Sequence, residues 1–487
     1  MYNQENILVK TSILIDEKKY NEAKSILLNY IKNAKNIKIS LKFYYQLYQV
    51  SHALREFKNA KNYLEKCFKI NENNYIVLNN LANMFLMERN VIKAEKFYLQ
   101  SLEKKKDYLV AIINLAILYE HSGRLEEAKK FYLKAIEIKP NEISIYYNLS
   151  RIDKNFINEK RVEFLDNLFK KEKIKLIDKA YYFFLLAEYK RKKKFFKKEI
   201  NYLEKAHQNL FDAELIKNNQ SLNYWINIIS TKYDKFNFIN ENKNNELINL
   251  SPIFIIGLPR SGSTMVEAIL SSGSTNIENL GETNILNGAV VSTHNSLKNI
   301  ENSNINLNSI NEIINKYMKD INFSETKNKI FTDKSLENFF YIDIILKIFP
   351  KAQFINTFRN LEDNIFAIFQ QAFIKISWTN SMENILEYID NYLRIIDYFK
   401  KKYPDKILSI NLEELTNKPV EISKELYKFC NLKWSNKVLE FYDRKDLVVS
   451  TASNIQIRQN INKYDRDKYK PYKQFLKIFS NKYNWLV

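Results

Sequence analysis

The chain is short of residues that interrupt regular structure. Among 487 residues there are 6 glycines and 7 prolines, so any stretch that gathers them stands out. Cysteine is scarcer still. Cys67 and Cys430 fall on apolar helical faces of different predicted domains, which excludes a disulfide framework and fits a reducing compartment. With four histidines and no Cys/His set at zinc spacing, no metal is expected. No apolar run is long enough to span a bilayer. The first twenty residues carry charges among their apolar positions and lack a signal-peptide core, so the expected location is cytoplasmic.

Lysine and arginine number 76 against 56 acidic residues, a formal charge of +20. That balance suits an anionic ligand through long-range attraction. Lys, Asn and Ile are abundant throughout, which points to compositional bias rather than a nucleic-acid face. Lys192, Lys193, Lys194, Lys197 and Lys198 lie in a helical pattern and read as a solvated face, and no nucleic-acid partner is expected. The length allows two or more domains, each with its own core.

In the N-terminal half, rows of 34 residues starting at Ser40, Asn74 and Tyr108 align without gaps. Ala60, Ala94 and Ala128 form one column, and Cys67, Ser101 and Ala135 another. Phe97 and Tyr98 lie over Phe131 and Tyr132. Small residues let two helices approach, and aromatics fill the gap to the next unit. Period and pattern resemble the tetratricopeptide repeat, a helix-turn-helix unit that stacks into a solenoid with a concave face. Gly123 sits at the turn of the best repeat. Residues 20–24 look like a degenerate first unit and 180–210 like a later one, with an irregular helical segment between 153 and 175. The polar, Asn-rich stretch 235–250 reads as the linker. The resulting division is a helical repeat domain over 1–234 and a second domain over 251–487.

From Pro252 the pattern changes to apolar runs alternating with helical segments, the mark of an α/β fold with a parallel sheet. Strands are expected at 253–256, 353–358 and 407–412, and helices at 265–270, 339–349, 382–402 and 420–430. Pro252 to Thr264, PIFIIGLPRSGST, reads as a buried strand, a Gly-bounded turn and a helix start. Such a turn aims free backbone N–H groups and the positive helix end at an anion. Gly257, Gly262, Ser263 and Thr264 have the spacing of a nucleotide P-loop, but Ser263 stands where the phosphate-binding Lys belongs. That disfavours NTP hydrolysis and kinase chemistry. The positive charge lies inside the loop, at Arg260.

GLPRSGST followed by Gly281-Glu282 resembles the 5′-phosphosulfate loop of the sulfotransferase superfamily. The whole chain most resembles bacterial proteins that join tetratricopeptide repeats to a sulfotransferase domain, and more distantly the protein-tyrosine sulfotransferases. The fold so implied is an α-helical repeat solenoid followed by a P-loop-like α/β sulfotransferase domain. The donor implied is 3′-phosphoadenosine 5′-phosphosulfate, with adenosine 3′,5′-bisphosphate as product.

The resemblance implies roles residue by residue. Pro259, Arg260, Ser261, Gly262, Ser263 and Thr264 would bind the 5′ end, with Arg260 also catalytic. Glu282 would be the general base that takes the acceptor's hydroxyl proton. The cytosolic small-molecule enzymes use a His there; His294, in a polar loop, reads as a surface residue. Thr332-Asp333-Lys334 matches an Asp-Lys element, which puts Lys334 on the leaving phosphate. Arg359, at the end of a strand, would grip the 3′-phosphate. Here the chain departs from the pattern: Asn360-Leu361 replaces Asp-Pro, and Ala367 stands where a further hydroxyl ligand is expected. Thr451-Ala452-Ser453 and Gln456-Ile457-Arg458-Gln459 resemble the family's late element, placing Ser453 at the phosphosulfate and Arg458 near the nucleotide. Lys468 and Tyr469 correspond to a basic-aromatic pair over the cofactor. Trp378, Tyr388 and Tyr392 also fit family positions, although aromatics at helical spacing commonly form core.

The expected reaction is sulfuryl transfer to a hydroxyl. The acceptor stays open between peptide tyrosine, a saccharide, a lipid and a small phenol. The repeats either hold a peptide or partner protein on their concave face or only support or dimerise the catalytic domain. The competing readings are a repeat scaffold whose nucleotide-binding domain has lost turnover, and a P-loop phosphotransferase.

Overall fold

The computed structural model describes residues 4–34, 39–171, 174–239, 250–273, 277–293, 304–320, 330–444 and 453–486. His294, residues 450–452 and most of the 235–250 stretch lie outside the described residues. The chain forms two compact units, Met1–Asp153 and Lys154–Val487.

The N-terminal unit is built from helix pairs. Leu41–Ala53 pairs with Phe57–Ile70, Tyr75–Met87 with Val91–Lys104, and Leu109–His121 with Leu125–Ile138. Their starts repeat at the 34-residue period read from the sequence. Ala60, Ala94 and Ala128 are fully buried, as are Cys67, Ser101 and Ala135, so the small-residue columns are where helices meet. Ser101 Oγ donates to the Tyr75 carbonyl at 2.7 Å, tying one helix of a pair to the start of the other. Phe85 stacks on Phe97 with centroids 5.2 Å apart, and Tyr119 meets Phe131 at 5.6 Å. At each pair's turn one residue is left-handed: Arg55, Arg89 and Gly123, with φ of 61°, 59° and 78°. The next N–H then reaches back to a carbonyl five residues earlier, at 2.8 Å for Glu56 to Ser51, Asn90 to Phe85 and Arg124 to Tyr119. An earlier pair, Gln4–Asp16 and Tyr20–Asn33, places Lys18 in the same conformation.

The C-terminal unit starts with four helices, Glu159–Lys171, Leu176–Lys192, Phe196–Ala213 and Leu215–Asn223. The sequence reading carries the repeat domain to residue 234, whereas these helices cluster with the sheet. The physical reason lies on helix Phe196–Ala213. Buried Glu199 accepts from Tyr472 at 2.7 Å and Gln370 at 3.0 Å, and pairs with Arg191 at 2.7 Å. His207 Nε2 donates to the Phe369 carbonyl at 2.7 Å. Burial pushes the His207 pKa down, so the neutral ring suits this position.

Among the described residues there are seven strands, numbered in chain order. Asn237–Ile239 (β1) and Asn304–Asn306 (β4) pair with each other. The other five form one parallel sheet: Ile253–Gly257 (β2), Glu278–Asn279 (β3), Phe331–Asp333 (β5), Gln353–Phe358 (β6) and Ile407–Asn411 (β7). Their spatial order is β3-β5-β2-β6-β7. β2 is buried throughout. Ile253 and Ile255 pack with Val266, Ile269 and Leu426, while Phe254 meets Phe349 and Phe354. Both faces are covered by helices, which is why the strand reads as an unbroken apolar run. The three strands expected from the sequence are present. β3 and β5, two and three residues long, are too short to show a period. The expected helix over 339–349 is a 3-10 turn, Leu336–Tyr341, followed by helix Ile342–Ile348.

Candidate functional site

The sheet order lines up the sequence elements. From β3 the chain runs into Gly281 and Glu282, from β5 into Lys334, from β2 into the glycine-bounded loop, and from β6 into Arg359. These four strand ends are neighbours. β2 lies between β5 and β6, where the connections diverge to either side, and such a point forms a crevice at the carboxyl ends of the strands.

The loop is shaped by close backbone approach. A Cβ at Gly257 (φ +138°) would lie 2.3 Å from the Thr357 carbonyl oxygen, and one at Gly262 (φ +96°) 2.7 Å from Leu412 Cδ1. Gly262 then caps helix Ser263–Ser271, and Ser263 and Thr264 are buried in its first turn. Ser261 Oγ donates to the Leu258 carbonyl and lies 2.7 Å from Thr357 Oγ1, locking the loop to β6. Asn364 Nδ2 donates to the Pro259 carbonyl at 2.8 Å. Arg260 is itself left-handed, with φ 68°, a conformation that costs a side-chain-bearing residue about 1 kcal/mol. Its guanidinium donates to Ser453 Oγ at 2.6 Å and Gln456 Oε1 at 3.0 Å. The structure therefore brings the late element onto the loop.

Lys334 is 1% exposed. Its ammonium lies 2.8 Å from Glu282 Oε1 and 3.7 Å from Glu267 Oε2. Burial works to lower the Lys334 pKa, but the two carboxylates outweigh it and the net direction is up. Glu267, on the loop's helix, is pushed up by burial against the pull of Lys334. Its neighbour Asp333 is also raised by burial, opposed by hydrogen bonds from Ser335 and Tyr317. Glu282 is more exposed, with 43% of its side chain accessible.

Arg359 reaches the loop as well, donating to the Arg260 carbonyl at 3.2 Å. Its other arm donates to the Tyr464 hydroxyl, which in turn donates to Asp363. The Tyr464 and Tyr469 rings lie 4.7 and 5.5 Å from the guanidinium carbon. Ala367 is buried and carries no hydroxyl; the hydroxyl at Arg359 is that of Tyr464. Asn360 caps the following helix, its Oδ1 accepting from the Asp363 N–H at 3.0 Å. Arg458 donates to Asn454 at 3.3 Å, and burial lowers its pKa. Lys468 stands apart, exposed, 5.0 Å above the Tyr469 ring.

A cavity of about 340 Å³ opens over the loop. Gly257, Pro259, Arg260, Ser263, Thr264, Glu282 and Ser453 line it, together with Trp225, Glu337, Phe373, Lys375, Trp378 and Tyr388. Lys334, Arg359, Arg458 and Lys468 do not line it; Arg359 borders a second cavity with Lys400 and Lys473. Trp378 and Tyr388 are core and wall at once, stacked 3.8 Å apart. Tyr392 is core, donating to Asn356 at 2.7 Å.

Sequence reasoning missed Glu267, Glu337 and Tyr464. Glu267 follows Thr264 by one helical turn, which was a usable signal. Glu337 and Tyr464 carry no local signature. No helix among the described residues is long and apolar enough to cross a membrane. No group of three or more His, Cys, Asp and Glu among those residues is placed to hold a metal ion.

Residues 252–436 match the sequence model of the Sulfotransferase family, and residues 41–74 and 110–142 that of the Tetratricopeptide repeat. The first match takes in the loop, Glu282, Lys334 and Arg359, and ends before Ser453, Arg458 and Lys468. A curated relative, an uncharacterized protein of Aquifex aeolicus (strain VF5), is 29% identical over 238 residues. The matched stretch is 46% of this chain and 31% of the relative, so the chain spans about a third of the length of the curated relative it matches. Among solved structures, the sulfotransferase domain of the curacin biosynthetic pathway is 17% identical, with a TM-score of 0.30 over 45% of this chain and 90% of that one. The sulfotransferase domain of the Synechococcus PCC 7002 olefin synthase is 16% identical, with a TM-score of 0.31 over 48% and 91%. MamA is 16% identical, with a TM-score of 0.28 over 38% and 96%.

Proposed function

From a sulfotransferase-family domain that follows tetratricopeptide repeats, we propose an enzyme that moves a sulfuryl group from 3′-phosphoadenosine 5′-phosphosulfate to a hydroxyl acceptor. The observation that carries this reading is the row of strand ends, which puts Glu282, Lys334, the loop and Arg359 side by side.

The residues present fit the donor. The loop is a cradle that a Cβ at Gly257 or Gly262 would fill. Arg260 lies within it, Arg359 donates to its backbone and Lys334 follows the neighbouring strand β5, and Arg359 Nε is buried without a hydrogen-bond partner. Such a set suits an anion phosphorylated at two ends. When bound, the donor supplies the sulfuryl group and departs as adenosine 3′,5′-bisphosphate.

The backbone of Ser261, Gly262, Ser263 and Thr264, with Arg260 and Ser453, holds the 5′ end. Arg359 holds the 3′-phosphate, and Tyr464 provides the hydroxyl that Ala367 lacks. Lys334 would hold the leaving phosphate oxygen, where a cation favours the transition state, and Glu282, no longer paired with it, would take the acceptor's proton. Arg458 and the Lys468-Tyr469 pair close the nucleotide side. The repeats suit a peptide or partner protein on their concave face, which makes peptide tyrosine one acceptor to test.

Calorimetric titration with adenosine 3′,5′-bisphosphate, with AMP and ATP as controls and Arg359→Ala alongside, tests the reading. Binding that needs the 3′-phosphate and fails in the variant supports it. No binding of the bisphosphate overturns it in favour of a repeat scaffold.

A further inference from the structure

We propose that the cavity beside Glu282 selects an acceptor carrying a positively charged nitrogen, an ammonium or a guanidinium, and that Glu337 receives that group. The inference rests on the sulfotransferase reading above and names the substrate class of the same site.

Glu337 lies on the 3-10 turn Leu336–Tyr341, three residues after Lys334, and lines the same cavity as Glu282. Its Oε1 is buried and has no hydrogen-bond partner. A buried carboxylate oxygen without a donor is unfavourable, and a bound ligand that brings one recovers the loss. Among the described residues, the cations that line this cavity are Arg260 and Lys375. Arg260 is bonded to Ser453 and Gln456, Lys375 stands at the exposed rim of the cavity, and Lys334, outside the lining, lies between Glu282 and Glu267. The other groups that feel the Glu337 charge are acidic or phenolic: Asp333, Glu282, Tyr224, Tyr341 and Tyr388. Burial, opposed by a backbone hydrogen bond and helped by the Asp333 and Glu282 charges, pushes Glu337 up to about 7, and an arriving cation would offset the shift by favouring the charged carboxylate.

The remaining wall agrees. Trp225, Phe373, Trp378 and Tyr388 offer aromatic surface to a cation. The volume of about 340 Å³ is at the small end for a ligand site, which suits one ring with a short substituent. An acidic acceptor would face two carboxylates, Glu282 and Glu337, in a partly desolvated space.

The test uses the full chain saturated with adenosine 3′,5′-bisphosphate, titrated with tyramine, phenol and 4-hydroxyphenylacetate, for the native protein and Glu337→Gln. Tyramine should bind about tenfold or more tighter than phenol, the size expected of one charge-assisted hydrogen bond. Hydroxyphenylacetate should bind weakest. The advantage of tyramine should vanish in Glu337→Gln while bisphosphate affinity stays unchanged. Equal binding of the three phenols to the bisphosphate-loaded native protein, or a tyramine preference that survives in Glu337→Gln, overturns the inference and leaves the sulfotransferase reading standing. The native ranking decides even where the variant fails to fold. Absence of bisphosphate binding instead overturns the sulfotransferase reading, and this inference with it.

Discussion

The ammonium of Lys334 sits 2.8 Å from the carboxylate of Glu282, with Glu267 on its other side at 3.7 Å. The cation is 1% exposed, so its charge is kept by its two acids rather than by water. One of these acids, Glu282, is open to the cavity, and the other, Glu267, is buried. Exchange of the outer carboxylate for a phosphate oxygen would leave Lys334 still neutralised and Glu282 free to accept a proton. In the proposed reaction the pair is the resting arrangement from which ligands would draw both groups.

Glu282→Gln should keep the fold and the bisphosphate site but lose the base. Turnover is expected to fall by about 10²-fold or more, the usual contribution of a positioned general base. Bisphosphate affinity should change only a few-fold. Single-turnover rates and calorimetry on the same preparation check both. A variant with native turnover would remove Glu282 from the mechanism, and loss of bisphosphate affinity in step with rate would make it a cofactor residue.

Tyr464→Phe deletes only the hydroxyl that bonds Arg359 and Asp363. If that hydroxyl serves the 3′-phosphate, affinity for adenosine 3′,5′-bisphosphate should fall about tenfold, as for one hydrogen bond to a charged group. AMP, which lacks the 3′-phosphate, should bind both proteins alike. An equal loss for AMP would mean that Tyr464 only holds Arg359 in place.

The legible parts of the sequence were those with a local physical cause. Repeated small residues such as Ala60, Ala94 and Ala128 marked helix contacts, because only small side chains fit there. The apolar run of β2 and the glycines after it marked the loop. Two kinds of feature were not legible. One is contact between distant segments, such as Glu199 with Tyr472, which assigns helix Phe196–Ala213 to the C-terminal unit although its own pattern looks like a repeat. The other is the environment of a single residue. Nothing local separates Glu337 from a solvated helix-start glutamate; its surroundings come from the cavity it lines with Trp225 and Tyr388.

Arg55 takes the left-handed conformation that its counterpart Gly123 adopts without cost, and its side chain is exposed. Arg55→Gly should therefore stabilise the N-terminal unit by about 0.5–1 kcal/mol, the relief of strain less the entropy glycine loses on folding. The four tryptophans, Trp225, Trp378, Trp434 and Trp485, all belong to the C-terminal unit. Repeat unfolding is then the part of the far-ultraviolet circular dichroism transition that tryptophan fluorescence does not follow. That part should move up by about 1–4 °C. Gly123→Arg should move it the other way, and an unchanged midpoint in both variants would refute the turn argument.

The burial of Glu337 also makes a stability prediction with a definite sign. Unfolded, the carboxyl loses its proton near 4.5; folded, it keeps it until about 7. Between those values the folded chain holds a proton that the unfolded chain has released, so raising the pH favours unfolding. The penalty begins near pH 4.5, grows to about pH 7 and then levels, reaching up to about 3 kcal/mol. Glu337→Gln cannot titrate. Its stability relative to the native protein should therefore rise between pH 5 and pH 8. Glu267 and Asp333, also raised by burial, tilt the native curve in the same direction but are present in both proteins and largely cancel in the difference. Urea unfolding followed by tryptophan fluorescence reads this, because every tryptophan is in the unit that contains Glu337. Parallel pH profiles for the two proteins would show that Glu337 is solvated in the folded state, and the case for a desolvated carboxylate awaiting a cation would fall with it.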